Sequence, residues 1–140
     1  MGTEENRRVA REGLEAWSRG DLEQAVEGLH PEIEWHLMFP LPDLETNKWI
    51  YKGRDEVLVA WSAFHDGFET LTAEMEEVLW EGPDALVMRT RIRGIGKGSG
   101  LQVDRIVFFV MKVRDGMVIL WKGFFEPDEA IEFAEGLNGD

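Results

Sequence analysis

Cysteine is absent from the 140 residues. That excludes a disulfide framework, a thiolate metal site and a cysteine nucleophile. Long apolar runs are absent too, and nothing approaches the ~20 residues that a bilayer-spanning helix needs. Positive charge is scarce: 15 Lys and Arg stand against 28 Asp and Glu, a net charge of −13. Nucleic acids and anionic membranes both require a positive footprint, so neither is an expected partner. The three histidines lack metal-ligand spacing, and neither a metal nor a cofactor is expected. Residues 1–5 are acidic and polar, unlike a signal peptide, so the expected setting is soluble and cytoplasmic.

What is present is an ordinary globular composition, 44% apolar and 31% charged. The length suits one domain, residues 1–140, built on one core. Charge is unevenly placed. Residues 83–123 carry a net +5, from Arg89, Arg91, Arg93, Lys97, Arg105, Lys112, Arg114 and Lys122 against Asp84, Asp104 and Asp115, which leaves −18 on the rest. Such a stripe could bind anions. The plainer reading is that basic strands lie beside acidic helices or pair with a partner subunit.

The first third reads as helix. Val9, Leu14 and Trp17 recur near helical spacing and Gly20 stops the run. Asp21 caps a second helix with Leu22, Ala25, Val26 and Leu29 on its buried stripe, ended by His30-Pro31. Ile33, Trp35 and Leu37 alternate with Glu34 and His36 as a strand. Residues 39–50, with Pro40 and Pro42, form a loop of a length usually kept for lids or binding segments. A third helix over 55–67 aligns Val57, Leu58, Trp61, Phe64, His65 and Phe68. The period then switches to strands at 71–80, 85–93, 101–114 and 117–125, with a hairpin signal at Arg114-Asp115-Gly116. A short helix follows Pro127. Helices followed by a curled antiparallel sheet make an α+β domain with the helices on one face.

Several motifs along the chain are familiar: Gly20-Asp21-Leu22, Pro31-Glu32-Ile33-Glu34-Trp35-His36, Tyr51-Lys52-Gly53-Arg54-Asp55 and Gly96-Lys97-Gly98-Ser99-Gly100. So are Val113-Arg114-Asp115-Gly116-Met117-Val118 and Phe125-Glu126-Pro127-Asp128-Glu129-Ala130. Together, over about residues 5–137, they resemble the SnoaL-like branch of the nuclear transport factor two-like superfamily. The resemblance implies a cone: a strongly bent, antiparallel (mixed) sheet around N-terminal helices, with a pocket open at one end. It also implies a homodimer formed through the convex sheet face. Members include ketosteroid isomerases, limonene-type epoxide hydrolases, polyketide cyclases, dehydratases and non-catalytic pocket proteins, so the fold alone names no reaction. The isomerase base and oxyanion hole fall on Leu37, Gly13 and Phe109, which cannot do that chemistry. The hydrolase triad falls on Arg91, Arg93 and Gly123, which leaves no general base for a water.

Alternation and the resemblance together point a row of residues into the cone: Val103, Arg105, Val107, Phe109 and Met111, with Leu86, Met88 and Ile92, and Trp121, Gly123 and Phe125. The expected ligand-binding set is Trp17, Trp35, Leu37, Trp61, Phe68, Met88, Val107, Phe109, Trp121 and Phe125, an apolar lining of the kind that holds small molecules. The same side chains could instead fill the cone as core.

Polar candidates are few. His65 shares the apolar face of the third helix and could serve as acid or base near neutral pH; alternatively it is a core histidine. His36 lies opposite Trp35, outside, and His30 is in a turn. Trp49 and Tyr51 could close the mouth, with the Tyr51 phenol as a donor. Arg105 stands in an apolar row and must find an acceptor or stay wet. Ser62 and Ser99 have no triad spacing. The glycines of 94–100 join two strands, which favours a hairpin over a phosphate loop.

Three readings follow. One is an isomerase, cyclase, dehydratase or hydrolase acting on a small hydrophobic molecule through His65 with Arg105 or Tyr51. Another is a non-catalytic binder of such a molecule. The third is a structural or interaction dimer with an incidental cavity. Converging acid–base groups would favour the first, an apolar aromatic cavity the second, and a filled cone the third. The dimer expectation also has a sequence argument: Ile106, Phe108 and Val110 would form an exposed apolar row on the convex face. On the same face Asp104 should meet Arg91 or a neighbouring arginine.

Overall fold

A computed structural model describes residues 3–37 and 50–137. Helix α1 (Thr3–Ser18) buries Ala10, Leu14 and Trp17, which lie on one stripe at four- and three-residue steps. Helix α2 (Leu22–Glu27) begins where the Asp21 carboxylate accepts the Gln24 amide at 3.3 Å. Strand β1 (Leu29–His36) starts four residues earlier than the alternation indicates. Pro31, expected to end a helix, lies inside it. Pairing with the neighbouring strand breaks between Leu29 and Glu34, so the missing proline N–H disrupts no ladder there. The Arg54 guanidinium takes up the Leu29 carbonyl at 2.7 Å instead.

Strand β2 (Ile50–Lys52) leads into helix α3 (Arg54–Asp66), where Val57, Ala60 and Trp61 are buried. Four long strands follow: β3 (Phe68–Glu81), β4 (Ala85–Gly96), β5 (Gln102–Arg114) and β6 (Met117–Phe124). Phe68 thus opens a strand rather than closing the third helix. Asp115 and Gly116, both at positive φ, make the β5–β6 turn. The sheet order is β2-β1-β6-β5-β4-β3. Only β1 and β6 run parallel, so the sheet is mixed. Three register shifts interrupt β3 against β4, and such bulges bend and twist a strand. With four helices among the described residues on an open, bent sheet, the domain is the α+β cone that the resemblance implies.

Helices α1 and α3 pack against one face of the sheet. Ser18 fixes α1 to β3: its hydroxyl accepts the Ala73 amide at 2.8 Å and donates to the Ala73 carbonyl at 3.0 Å. The other face corrects an expectation. Helix α4 (Pro127–Leu137) covers it, placing Ala130 and Ala134 on Val87, Phe108 and Val110, with Ile106 at the edge. The helices therefore occupy both faces, and the apolar row that argued for a dimer lies under the chain's own last helix.

Beyond α4 that outer face is charged. Asp104 sits opposite Arg93 and bonds diagonally to Arg91 at 2.9 Å, which fixes the strand register as alternation had it. Glu76 on β3 holds Arg89 at 3.2 Å and Arg91 at 3.5 Å. Three arginines of the basic stripe, Arg89, Arg91 and Arg93, are thus answered by acids of adjoining strands.

Candidate functional site

Between the inner sheet face and helices α1 and α3 lies a cavity of about 440 Å³. Each element contributes by its own period. Helix α1 offers Trp17, and α3 offers Trp61, Ala63 and Phe64. Strand β5 presents Val103, Arg105, Val107 and Phe109 at steps of two, and β6 presents Trp121 and Gly123. Trp35 and Leu37 close one side, Phe68, Leu71, Ala73 and Ile92 the other, and Phe125 stands at the edge.

The aromatic rings brace one another. Trp61 meets Trp35 at 5.9 Å and 79°, and Trp121 at 5.4 Å and 72°. Trp121 in turn meets Phe109 at 5.3 Å and 86°. Edge-to-face pairs set the positive rim of one ring on the electron-rich face of the next, worth ~0.5–1.5 kcal/mol each beyond burial. The indole N–H groups of Trp61 and Trp121 have no hydrogen-bond partner among the described residues. A wall of mutually supported rings holds its shape around empty space, where flexible side chains would collapse.

Nine of the ten residues expected to bind ligand line the cavity: Trp17, Trp35, Leu37, Trp61, Phe68, Val107, Phe109, Trp121 and Phe125. The tenth, Met88, faces the same way but is fully buried in the core and does not reach the void. Leu71 and Ala73, which sequence reasoning did not assign to the site, come from β3; their period of two was the signal that could have found them.

The polar candidates fare differently. His65 is outside the lining, edge-on to Trp17 with ring centroids 4.5 Å apart. Trp17 takes the wall position, because the helix turns His65 toward α1 rather than into the cone. Burial lowers the His65 pKa, and nearby Asp66 opposes this only in part. Tyr51 is also outside the lining: it packs on Trp35 at 5.8 Å, and Trp35 faces the cavity in its place. Trp49 lies outside the described residues. His36 does border the cavity, contrary to expectation, but its Nε2 is 3.0 Å from Glu34 Oε1. Residues two apart share a strand face, so the imidazole is committed to the side opposite Trp35. Arg105 alone among the three catalytic candidates lines the cavity, and it is exposed at the rim with its guanidinium 4.9 Å over the Phe125 ring.

No carboxylate lines the cavity among the described residues, and no three His, Asp or Glu side chains among them converge as metal ligands would. Leu37 and Phe109, on which the resemblance places two of the isomerase's polar groups, line the cavity wall. Arg91 bonds Asp104 on the outer face, away from the water-holding role of the epoxide hydrolases. Chemically, the arrangement can desolvate an apolar body and meet one polar end with a guanidinium.

A bent sheet wrapped on an N-terminal helix, with an aromatic cavity inside, defines a pocket-bearing domain of the nuclear transport factor two-like class. The family model of the SnoaL-like domain matches residues 10–121, and the chain belongs to that family. Among solved structures it is similar to a nuclear transport factor two-like protein of unknown function from Burkholderia pseudomallei. Identity is 20% over 94% of this chain and 97% of that one, with a TM-score of 0.74. TerC, co-crystallised with polyporic acid, is 15% identical over 94% and 98% of the two chains, also with a TM-score of 0.74. A Mycobacterium tuberculosis protein in complex with estradiol-17β-hemisuccinate is 16% identical over 89% and 95%, with a TM-score of 0.72. No curated protein matches the chain. Among the described residues no helix is long and apolar enough to cross a membrane.

Proposed function

We propose that this protein binds a small hydrophobic molecule in its cone and does so without acid–base catalysis. The observation that carries the reading is the character of the cavity wall: aromatic and aliphatic almost throughout, with no carboxylate among the described lining residues and with His65 and Tyr51 turned away. A general base must come within hydrogen-bond reach of the proton it removes; among the described lining residues only His36 is a candidate, and its Nε2 is held 3.0 Å from Glu34 Oε1. The ligands of two similar structures, polyporic acid and estradiol-17β-hemisuccinate, support a small-molecule role for this type of cone. A cytoplasmic setting is part of the proposal, supported by the absence of cysteine. So is a homodimer, for which the resemblance remains the support; light scattering should give twice 16.1 kDa, and a single chain mass would refute it.

The neutral dye Nile red, which brightens in apolar surroundings, tests the cavity. It should bind one per chain and saturate. Val107 is 4% exposed and lines the void, so Val107→Trp should occupy that space and abolish the signal while the circular dichroism spectrum is retained. Equal brightening in both proteins would place the dye elsewhere and defeat the reading.

A further inference from the structure

Arg105 lies in the cavity-facing row of β5, opposite Ile92, and is the one cation among the described lining residues. On the outer face the arginines of β4 are held by Glu76 and Asp104. Arg105 by contrast forms no ion pair and donates no hydrogen bond among the described residues. Its guanidinium carbon lies over the exposed Phe125 ring instead, 4.9 Å from the centroid. With no hydrogen bond or ion pair among the described residues, its N–H edge is left as a fork matched to a carboxylate. In a chain with 28 acids, an arginine at a cavity mouth that pairs with no acid among the described residues is a candidate anion contact.

Resting on the reading of the cone as a ligand site, we propose that its ligand is an amphiphilic oxyanion. A flat apolar body sits among Trp35, Trp61, Phe109 and Trp121, and a carboxylate or equally acidic oxygen lies at the rim on Arg105. The alternative occupant of an aromatic cavity is an organic cation held by ring faces. Arg105 opposes that occupant by like charge, and no described acid in the lining offsets it. A neutral ligand would leave the guanidinium with water only.

The test uses one naphthalene skeleton in three charge states: 2-naphthoate, the neutral methyl ketone 2-acetonaphthone, and trimethyl(2-naphthyl)ammonium. Each is titrated by calorimetry into the wild-type protein. The anion should bind about tenfold more tightly than the ketone, the low end expected of a charge-assisted contact, and the cation should bind worst. Added salt should erode the anion's advantage, because the rim is solvated. Arg105 is exposed, so Arg105→Met should fold; it should cost the anion about tenfold and leave the ketone within twofold. Arg105→Lys should recover part of the loss, keeping the charge without the fork. If the ketone binds as tightly as naphthoate, or Arg105→Met weakens both alike, the oxyanion assignment is wrong and the apolar site stands. If none of the three binds the wild type, both are wrong.

Discussion

At the scale of single residues, direction and depth are separate properties, and Met88 and Phe109 show it. They are paired across β4 and β5 and both point inward, yet only Phe109 meets the void. Met88→Ala should therefore cost ~2–5 kcal/mol, as for other buried Met truncations, measured by urea unfolding, while Nile red affinity stays within twofold. His65 makes the second residue-scale prediction. Its folded pKa lies below the ordinary 6.5 because burial disfavours the imidazolium. The unfolded chain then takes up the proton first as pH falls. Stability from this group is full above pH 6.5 and is lost as the pH drops from there toward the depressed folded value. His65→Phe should flatten the pH dependence of the urea midpoint in that window. A slope unchanged by the substitution would assign it to other groups.

At the scale of elements, the regular periods were legible and the irregular ones were not. The 3.6-residue stripe of α1 and the two-residue alternation of β5 carried over directly, Arg105 with its inward row and Asp104 with its outward one. Strand β1 began earlier than its alternation because a proline sits in a gap of the ladder, and a broken pairing leaves no periodic trace. Tyr51 was expected at a mouth because the proline-bearing residues before it read as a long loop in the sequence. It instead forms a three-residue strand behind Trp35, and a strand that short has too few positions to show a period. The role of α4 was hidden for a further reason: its small residues, Ala130 and Ala134, gave no sign of what they cover. Those alanines are fully buried against the sheet, so Ala134→Asp should drive an unpaired charge into that seam, at a cost of several kcal/mol. The expected readout is a large fall in melting temperature with increased binding of a surface-hydrophobicity dye. A melting temperature unchanged within a degree would show that α4 does not pack there.

At the scale of the whole molecule, two apolar layers share one sheet but do different work. The outer layer closes onto α4, while the inner layer, braced by edge-to-face rings, leaves about 440 Å³ unfilled. Sequence periodicity identified which side chains face inward, but not that their rings would fail to fill the cone, since volume depends on how every layer meets. The tryptophans report directly on whether the cavity takes up a ligand. Trp17, Trp35, Trp61 and Trp121 line the cavity, whereas Trp80 packs in the outer layer. In a ¹⁵N-labelled sample each indole N–H gives its own resonance, and 2-acetonaphthone can be added stepwise. Saturable shifts are expected in the four cavity indoles, with the Trp80 signal unmoved. Shifts centred on Trp80, or no shift in the four at saturating ligand, would contradict ligand uptake in the cavity.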